Sequence, residues 1–341
     1  MEKLEHPLRW WHLPLLLLLI VGTVYAAREY RSQGKDGGKR WSVSATQTHE
    51  GFVFGTVYHV KYESTKDLQA VIDAALASVD HSLSMFDSLS NVSLINQNQT
   101  DTLDAQVQEV LTLSQGIWQA TGGAFDVTVA PLVNAWGFGF KQGLTVDSAS
   151  VDSLRQFIGM EKLTMVGNTV KKNDPRMMLD FSAVAKGYGV DAVGKALEQA
   201  GVKNYMVEIG GEVRVKGYGS EGGLWRIGVD VPEVDSLGGT PELADVLEVT
   251  DMSMATSGNY RNYREVDGKR VGHTIDPRTG YPAESDVLSA TVLAEDCATA
   301  DAWATALMVL GVNDGRKALA GHPELKVLLL CADSAVKINY E

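Results

Sequence analysis

Hydrophobic residues recur along this chain in two patterns, which predict strands in some segments and helices in others. Apolar and polar side chains alternate over residues 52–62, which is typical of a half-buried strand. Apolar residues recur at helical spacing over 68–83, which predicts a helix. The segment Cys297–Leu310 is apolar almost all round, so it predicts a buried helix that ends at Gly311.

The remaining elements follow from the same patterns and from the glycines that bound them. Further helices are predicted over about 107–118, ended by Gly122–Gly123, over 183–199, closed by Gly201, and from Asn313. Further strands are predicted at 204–219, 224–232, 287–296 and 326–332. Helices and strands are mixed without regular βαβ alternation, and many strands are linked as hairpins. The chain therefore predicts an α+β fold with a largely antiparallel sheet and packed helices.

The first 27 residues differ from the rest of the chain. They hold a short polar start, an apolar core and small residues, with Val24 and Ala26 at the −3 and −1 positions of a cleavage site. We expect 1–27 to be a signal peptide or a membrane anchor, 28–41 a linker and 42–341 one catalytic domain. Export would place that domain on the periplasmic side of the inner membrane. The basic residues after the apolar core leave a cytoplasmic body as the alternative.

Composition limits the classes of ligand and the cysteine chemistry. The chain has 341 residues and a formal net charge of −13, which does not favour binding to nucleic acid. An anionic ligand would need cations concentrated at its site. The two cysteines, Cys297 and Cys331, lie in apolar segments, which favours buried free thiols over a disulfide, and they do not make a zinc site.

Three glycines resemble a dinucleotide-binding fingerprint but stand in the wrong context. Gly217, Gly219 and Gly222 match G-x-G-x-x-G, a motif that must follow a strand and open a helix. The segment that follows them, "GLWRIGV", predicts a strand. We interpret the glycines as a hairpin turn.

The buried helix over 297–310 carries one acid, Asp301. A buried carboxylate needs a cation or hydrogen-bond donors. Thr305 lies four residues further on, on the same face of the helix. This pair of hard oxygen ligands suits Mg²⁺, which keeps waters and substrate phosphates in its other positions. The alternative is an acid that a neighbouring loop satisfies, with Thr305 bonded to its own backbone.

The segment "DFSAVAKGYGVD", residues 180–191, joins a strand-like stretch to a helix through small residues. Small residues let a ligand reach a helix N-terminus, where free N–H groups favour anions, and Lys186 would add positive charge. It is not a P-loop, because Gly187 follows the lysine and no glycine lies in 174–186. The alternative is a solvated lysine in a tight turn.

Three further segments are weaker candidates. "TGGAFD", residues 121–126, ends a helix in two glycines and exposes Phe125 and Asp126. "HTIDPRTGYP" predicts a type I turn preceded by His273, which could act as a base or stack on a ring. "ATSGNYRNY" places Ser257 in a turn. Each segment is equally consistent with a structural role.

Taken together in order over about 50–311, these stretches resemble the FAD:protein FMN transferases, the ApbE-type flavin transferases. The resemblance is carried by Phe54-Gly55-Thr56, "SMFDSLSNVSLIN" (84–96), Gly122–Asp126 with Pro131-Leu132 and Trp136-Gly137, Asp180–Gly187, Gly210-Gly211-Glu212, Ser257–Tyr260, His273–Gly280 and Ala300–Thr305. Any one motif is weak, but eight in order are highly specific.

The resemblance implies an ApbE-like, T-fold-related domain that moves FMN from FAD to a Ser or Thr hydroxyl of another protein, needs Mg²⁺ and releases AMP. It implies metal ligation by Asp301, Thr305 and the backbone carbonyl of Ala185. It also implies contacts with FAD, for which we predict Phe54, Phe86, Ala124, Phe125, Asp126, Asp180, Ser182, Lys186, Tyr188, Ser257, His273 and Ile275. Lys186, His273 and Asp301 are the candidate catalytic residues, with either His273 or a carboxylate near the metal as the base.

Partners and alternatives follow from the same resemblance. The implied acceptors are flavoproteins such as membrane redox subunits, which suits a domain that faces the periplasm. An Mg²⁺-dependent FAD pyrophosphatase and a non-catalytic FAD-binding protein remain alternatives. Three positions depart from the family pattern: Phe54 stands where methionine is common, Ser182 where glycine is common and Glu208 where asparagine is frequent.

Overall fold

A central antiparallel sheet organises the protein in the computed structural model, which describes residues 45–138, 147–220, 222–230, 243–258, 263–266, 269–332 and 334–340. Eight strands hydrogen-bond side by side within it. In spatial order they are β1 (Thr46–Val53), β2 (Thr56–Glu63), β5 (Tyr205–Ile209), β6 (Glu212–Lys216), β9 (Met252–Gly258), β12 (Val287–Ala294), β13 (Lys326–Cys331) and β14 (Ala335–Ile338). Every neighbouring pair is antiparallel.

Smaller ladders and helices surround this sheet. The two-stranded ladders are β3 (Leu163–Val166) with β4 (Thr169–Lys172), β7 (Trp225–Asp230) with β8 (Leu243–Val249), and β10 (Tyr263–Val266) with β11 (Lys269–Gly272). The described helices are α1 (Gln69–Leu83), α2 (Asn91–Asn96), α3 (Ala105–Ala120), α4 (Ala130–Ala135), α5 (Ser148–Arg155), α6 (Ala185–Gln199) and α7 (Cys297–Leu319). The α+β prediction is confirmed.

Both faces of the central sheet are covered, which explains why β12 is buried almost throughout. Successive side chains of a strand point to opposite faces. Ala290 and Val292 of β12 join the large apolar cluster that includes Trp303 of α7. Leu293 packs on the other face, in a cluster with Trp225 of β7. The apolar α7 therefore lies between the sheet and the remaining helices, as its sequence requires.

The single strand predicted over 52–62 is wrong, because the chain reverses there. Phe54 and Gly55 have φ angles of 52° and 76°, and they form the turn between β1 and β2. Two successive residues with positive φ are typical of a tight hairpin. The alternation of apolar and polar residues continues across the turn, so periodicity alone did not reveal it.

The glycines at 217–222 do form a turn, but the hairpin interpretation is wrong. Gly219 accepts a hydrogen bond from Gly222 and donates one to Gly223. The strands on either side do not pair with each other: β6 pairs with β9, and β7 pairs with β8. The turn therefore passes the chain from the central sheet to a separate ladder.

The strongly periodic helices are confirmed as α1, α3, α6 and α7. Gly201 follows α6 with a φ of 89°, and Gly311 interrupts α7 with a φ of 69°. Helical structure resumes after Gly311 and ends at Leu319. Cys297 and Cys331 are both free thiols. Within the described ranges, no helix combines the length and apolar character that a membrane span requires.

Candidate active site

A cavity of about 620 Å³ opens beside the central sheet, which is within the usual size range of ligand sites. Its walls come from β9, from the turn between β5 and β6, and from the N-terminal turns of α6 and α7. Loops that contain Phe86, Phe125 and His273, together with part of β7, add to the wall. Segments from most of the chain therefore meet at one site.

Asp301 lies in the second turn of α7 with only 3% of its surface exposed. Its Oδ2 accepts a hydrogen bond of 3.0 Å from the backbone N–H of Gly187. Gly187 lies in the first turn of α6, where N–H groups have no partner within the helix. The N-terminus of α6 thus supplies a hydrogen-bond donor to Asp301 of α7. The partial positive charge at this helix end also stabilises the Asp301 carboxylate.

The crossing of α6 and α7 depends on the absence of a side chain at Gly187. A Cβ atom at that position would lie 2.3 Å from the carbonyl oxygen of Cys297. The glycine thus serves close packing of the two helices, and the bond to Asp301 follows from that packing.

A second acid fixes the start of α7. The buried carboxylate of Asp191 on α6 accepts hydrogen bonds from the N–H groups of Cys297 and Ala298, at 3.0 and 2.9 Å. Arg214 of β6 donates to the same carboxylate at 2.6 Å. Burial raises the pKa of Asp191, and these donors oppose the shift. The helix that carries Asp301 is therefore held at its N-terminus by α6, whose Asp191 is in turn held by β6.

Two hydroxyls lie along the same side of the cavity. Thr305 is one helical turn after Asp301, and its Oγ1 is 3.2 Å from the Oγ of Ser257. Ser257 belongs to β9, so its predicted place in a turn is wrong. Small side chains in "MATSG" weakened the strand signal there. Asp301, Thr305 and Ser257 together present three hard oxygen groups to the cavity.

Lys186 and Glu212 form an ion pair in the cavity wall. The Glu212 side chain is 3% exposed, and its Oε2 has no hydrogen-bond partner within the described part of the chain. Burial raises the pKa of Glu212 to about 7; Lys186 opposes this shift and Asp301 adds to it. Burial alone would lower the pKa of Lys186, but Asp301 and Glu212 raise it above its ordinary value. Lys186 is thus held fully charged between two acids.

Asp126 lines the cavity but is already bonded to the protein. Its Oδ1 accepts from the N–H of Thr128 at 2.8 Å, and its Oδ2 accepts from the N–H of Met160 at 3.1 Å. Burial raises the pKa of Asp126 against these bonds. These bonds fix the loop that contains Phe125. The sequence predicted that both residues are exposed, and this is wrong: Asp126 is 7% exposed and Phe125 is 2% exposed.

Asp180, Ser182 and His273 lie at other points of the cavity wall. Asp180 accepts a hydrogen bond of 2.8 Å from the N–H of Ser182, and burial raises the pKa of this acid. The ring of His273 meets the ring of Phe138 edge-on, with centroids 6.4 Å apart. His273 therefore borders a partly aromatic section of the wall.

Most of the predicted ligand-contacting residues meet at this cavity. Those on its wall are Phe86, Ala124, Phe125, Asp126, Asp180, Ser182, Lys186, Ser257, His273, Ile275, Asp301 and Thr305. Phe54, Tyr188 and Ala185 are not on the wall. Tyr188 is buried and donates a hydrogen bond of 2.7 Å to Glu109 of α3. The geometry gives no support to direct ligand contacts by the side chains of Phe54 and Tyr188.

Sequence reasoning missed Glu212, the partner of Lys186. The Gly-Gly-acid motif pointed to this segment, but the pairing joins residues 26 positions apart. It also missed Met85, Thr256 and the glycines Gly210 and Gly211 as parts of the wall. Small or apolar residues carry no chemical signal of their own, so only the folded chain reveals them.

The oxygen groups of the site fit a magnesium ion. Within the described ranges, no three His, Cys, Asp or Glu side chains form a preassembled metal cluster. Mg²⁺ does not need one, because it is commonly bound by one or two carboxylates together with substrate phosphates and waters. Asp301, fixed through one oxygen by Gly187, and the adjacent hydroxyl of Thr305 make a suitable donor set.

Comparison with solved structures defines the class of this protein. A flavin transferase ApbE from Vibrio cholerae superposes with a TM-score of 0.78 at 37% identity, covering 86% of this chain and 97% of that one. The ApbE protein from Thermotoga maritima superposes with a TM-score of 0.76 at 28% identity, covering 86% and 97%. The fold around the cavity is that of the ApbE flavin transferases.

Sequence comparison gives the same result and identifies the family. A Vibrio cholerae protein named FAD:protein FMN transferase is 40% identical over 84% of this chain and 88% of its own length. The Haemophilus influenzae protein of the same name is 39% identical over 82% and 85%. The ApbE family model matches residues 54–329, and the chain belongs to the ApbE family.

Proposed function

We propose that this protein transfers FMN from FAD to a serine or threonine hydroxyl of an acceptor protein and releases AMP. The observation that carries the proposal is the meeting of Lys186, Asp301 and Thr305 in one cavity of a chain that belongs to the ApbE family. The relatives named FAD:protein FMN transferase support the same substrate and reaction.

The reaction is a phosphoryl transfer within the pyrophosphate of FAD. The acceptor oxygen forms a bond to the phosphorus on the FMN side, and the bond from that phosphorus to the bridging oxygen breaks. The bridging oxygen leaves with AMP, and the acceptor hydroxyl gives up its proton. Such reactions depend mainly on positioning and on stabilisation of negative charge.

Asp301 and Thr305 would hold Mg²⁺, together with the backbone carbonyl of Ala185 that the family resemblance implies. When bound, the ion would neutralise charge on the pyrophosphate. The N–H of Gly187 keeps the Asp301 carboxylate in one orientation, and the packing of α6 on α7 keeps that donor in place. The chain thus supports its metal ligands before the substrate arrives.

Lys186 would supply the second positive charge at the pyrophosphate. Its ammonium group is held in the wall by Glu212, so it needs little reorganisation to face an anion. Lys186 and the metal ion would together offset the charges of Asp301 and Glu212, so the site could favour an anion although the whole chain has a net charge of −13. Phe86, which is largely exposed, offers aromatic surface for the flavin or adenine ring.

The acceptor hydroxyl needs a base, and two candidates line the cavity. His273 is one, and a carboxylate at the metal end is the other. A pH–rate profile of His273→Gln distinguishes them. If the rate of the variant no longer falls at low pH, His273 is the base. If the rate falls at low pH as in the intact protein, the carboxylate removes the proton.

The experiment that tests this function mixes the protein with FAD, Mg²⁺ and an acceptor flavoprotein and measures the acceptor by mass spectrometry. We expect one covalent FMN per acceptor, and no transfer by Asp301→Ala. FMN and AMP formed at a rate that the acceptor does not change would instead identify a pyrophosphatase. Tight FAD binding with no AMP under any condition would identify a binding protein.

We also propose that the protein acts at the periplasmic side of the inner membrane on redox subunits held there. The signal or anchor pattern of residues 1–27 supports this location. Mass spectrometry of the mature protein from a cell fraction checks it. A periplasmic or membrane-bound chain agrees with the proposal, and a full-length chain confined to the cytosol contradicts it.

A further inference from the structure

The Gly210–Gly211 turn between β5 and β6 is a part of the cavity wall whose conformation is fixed from outside. Both glycines have positive φ, at 62° and 105°, which side chains rarely tolerate. A Cβ at Gly210 would lie 2.7 Å from Thr56 of β2. The turn therefore packs tightly on β2, and we expect substitutions of either glycine to strain it.

Both N–H groups of this turn are bonded to the protein. Gly210 donates to the carbonyl of Val57 at 3.0 Å. Gly211 donates to Oε1 of the Glu208 side chain at 2.6 Å. Glu208 lies within β5 and reaches around to the turn that ends its own strand. Its carboxylate thus takes the place that a ligand anion or water would otherwise occupy on Gly211.

The second oxygen of Glu208 is held as well. His59 of β2 stands directly opposite Glu208 in the strand register, and its Nδ1 is 2.7 Å from Oε2. The other ring nitrogen of His59 is 3.7 Å from a carboxylate oxygen of Glu50 on β1. The side chains of His59 and Glu208 are 46% and 22% exposed. The Glu208 carboxylate is therefore held through one oxygen by β2 and through the other by the turn after β5.

The residue that follows the turn is Glu212, which pairs with Lys186 in the cavity. A shift of the turn would move the Glu212 backbone and, through it, the ammonium group of Lys186. We propose that Glu208, supported by His59, is a positioning residue that sets the cavity wall and the Glu212–Lys186 pair for catalysis. This inference rests on the proposed function, in which Lys186 faces the pyrophosphate of FAD.

The choice of glutamate matters at this position. A carboxylate offers two acceptors, one for Gly211 and one for His59, whereas an amide offers one acceptor and one donor group. Glu208→Gln can keep the bond to Gly211 through its carbonyl oxygen. Glu208→Ala removes both bonds. The two variants therefore separate the clamp on the turn from the charge of the carboxylate.

The test compares Glu208→Ala and Glu208→Gln with the intact protein in FMN transfer, FAD binding and thermal unfolding. Glu63→Ala is the matched control, because Glu63 at the other end of β2 accepts a hydrogen bond of 2.8 Å from Asn204 away from the cavity. We expect Glu208→Ala to lower kcat about tenfold, as misplaced catalytic groups do. We expect Glu208→Gln to recover most of that loss and Glu63→Ala to leave kcat unchanged at a similar melting temperature.

Two results would overturn the inference. One is a Glu208→Ala variant with the kcat and FAD affinity of the intact protein. The other is equal loss of kcat in Glu208→Ala and Glu63→Ala, which would indicate general loosening of the sheet. If the intact protein transfers no FMN, the proposed function fails on its own. Titration of FAD by flavin fluorescence then still decides whether Glu208 shapes the cavity, since a misplaced wall lowers affinity.

Discussion

Lys186, Glu212 and Asp301 bring one cation and two acids together in the wall of a single cavity. Buried charges of this kind contribute little net stability when complete, but removal of one partner leaves another uncompensated. Oε2 of Glu212 has no hydrogen-bond partner among the described residues, which is a further cost that a purely structural pair would avoid. We interpret the trio as part of the proposed ligand site, retained at some expense of stability.

The first prediction concerns the Glu212–Lys186 pair. Glu212→Ala leaves the ammonium group of Lys186, whose side chain is 31% exposed, without its bonded partner, so we expect the free energy of unfolding to fall by about 1–3 kcal/mol. Urea denaturation measures this. Lys317→Ala, at the exposed Lys317–Asp314 pair, is the control and should leave stability unchanged. An equally small effect of both substitutions would show that Glu212 does not hold Lys186.

The second prediction follows from the raised pKa of Glu212. Its pKa rises from the ordinary value of 4.5 to about 7, so between these values the folded chain binds a proton that the unfolded chain has lost. Stability from this group is complete below about pH 4.5 and declines as pH rises through about 7. The side chain in Glu212→Gln does not titrate, so this contribution is absent from the variant. Unfolding of both proteins across pH 5–8 should show the intact chain losing stability relative to the variant, and a constant or opposite difference contradicts the account.

At the scale of elements, the crossing of α6 and α7 determines where Asp301 lies. The third prediction is that Gly187→Ala destabilises the protein by about 1–3 kcal/mol and lowers transfer, because its methyl group collides with the Cys297 carbonyl. Gly116→Ala in α3 is the matched control. Among the described residues outside its own helix backbone, no atom lies within 4 Å of its Cβ position, so alanine should stabilise that helix by about 0.5–1 kcal/mol. Denaturant unfolding compares the two, and a neutral Gly187→Ala would refute the close crossing.

Elements with a strong period could be predicted from the sequence, and those defined by long-range pairing could not. The apolar helix α7 and its break at Gly311 follow from residue type alone. The reversal at Phe54 escaped prediction, because a non-glycine residue there adopts a φ of 52° under tertiary constraint. β9 escaped because its small residues gain their strand conformation from the β6 and β12 backbones on either side.

Some residues of the candidate site could likewise be predicted from the sequence, and others could not. Asp301 and Thr305 were predictable as a pair, since four residues separate them on one helix. Glu212 as the partner of Lys186, and Gly187 as the donor to Asp301, required the packing of distant segments. The order of motifs identified which segments matter, and the fold shows which of their atoms meet.

At the scale of the whole molecule, the cavity-lining residues in the described part of the chain lie between Met85 and Thr305. The fourth prediction is that a chain beginning at Ser42 transfers FMN to a soluble acceptor at the rate of the full chain, because it keeps every described residue of the cavity wall. Steady-state transfer with the two chains measures this. A large fall in kcat for the shorter chain, with unchanged unfolding, would assign the N-terminal segment a part in catalysis.

The most direct test of the central claim is the ratio of AMP released to FMN bound covalently by the acceptor. The account predicts one AMP for each flavinylated Ser or Thr, a rate that rises with acceptor concentration, and loss of both products in Asp301→Ala. AMP that accumulates without labelled acceptor, or an acceptor that stays unmodified while FAD and Mg²⁺ are saturating, would contradict it.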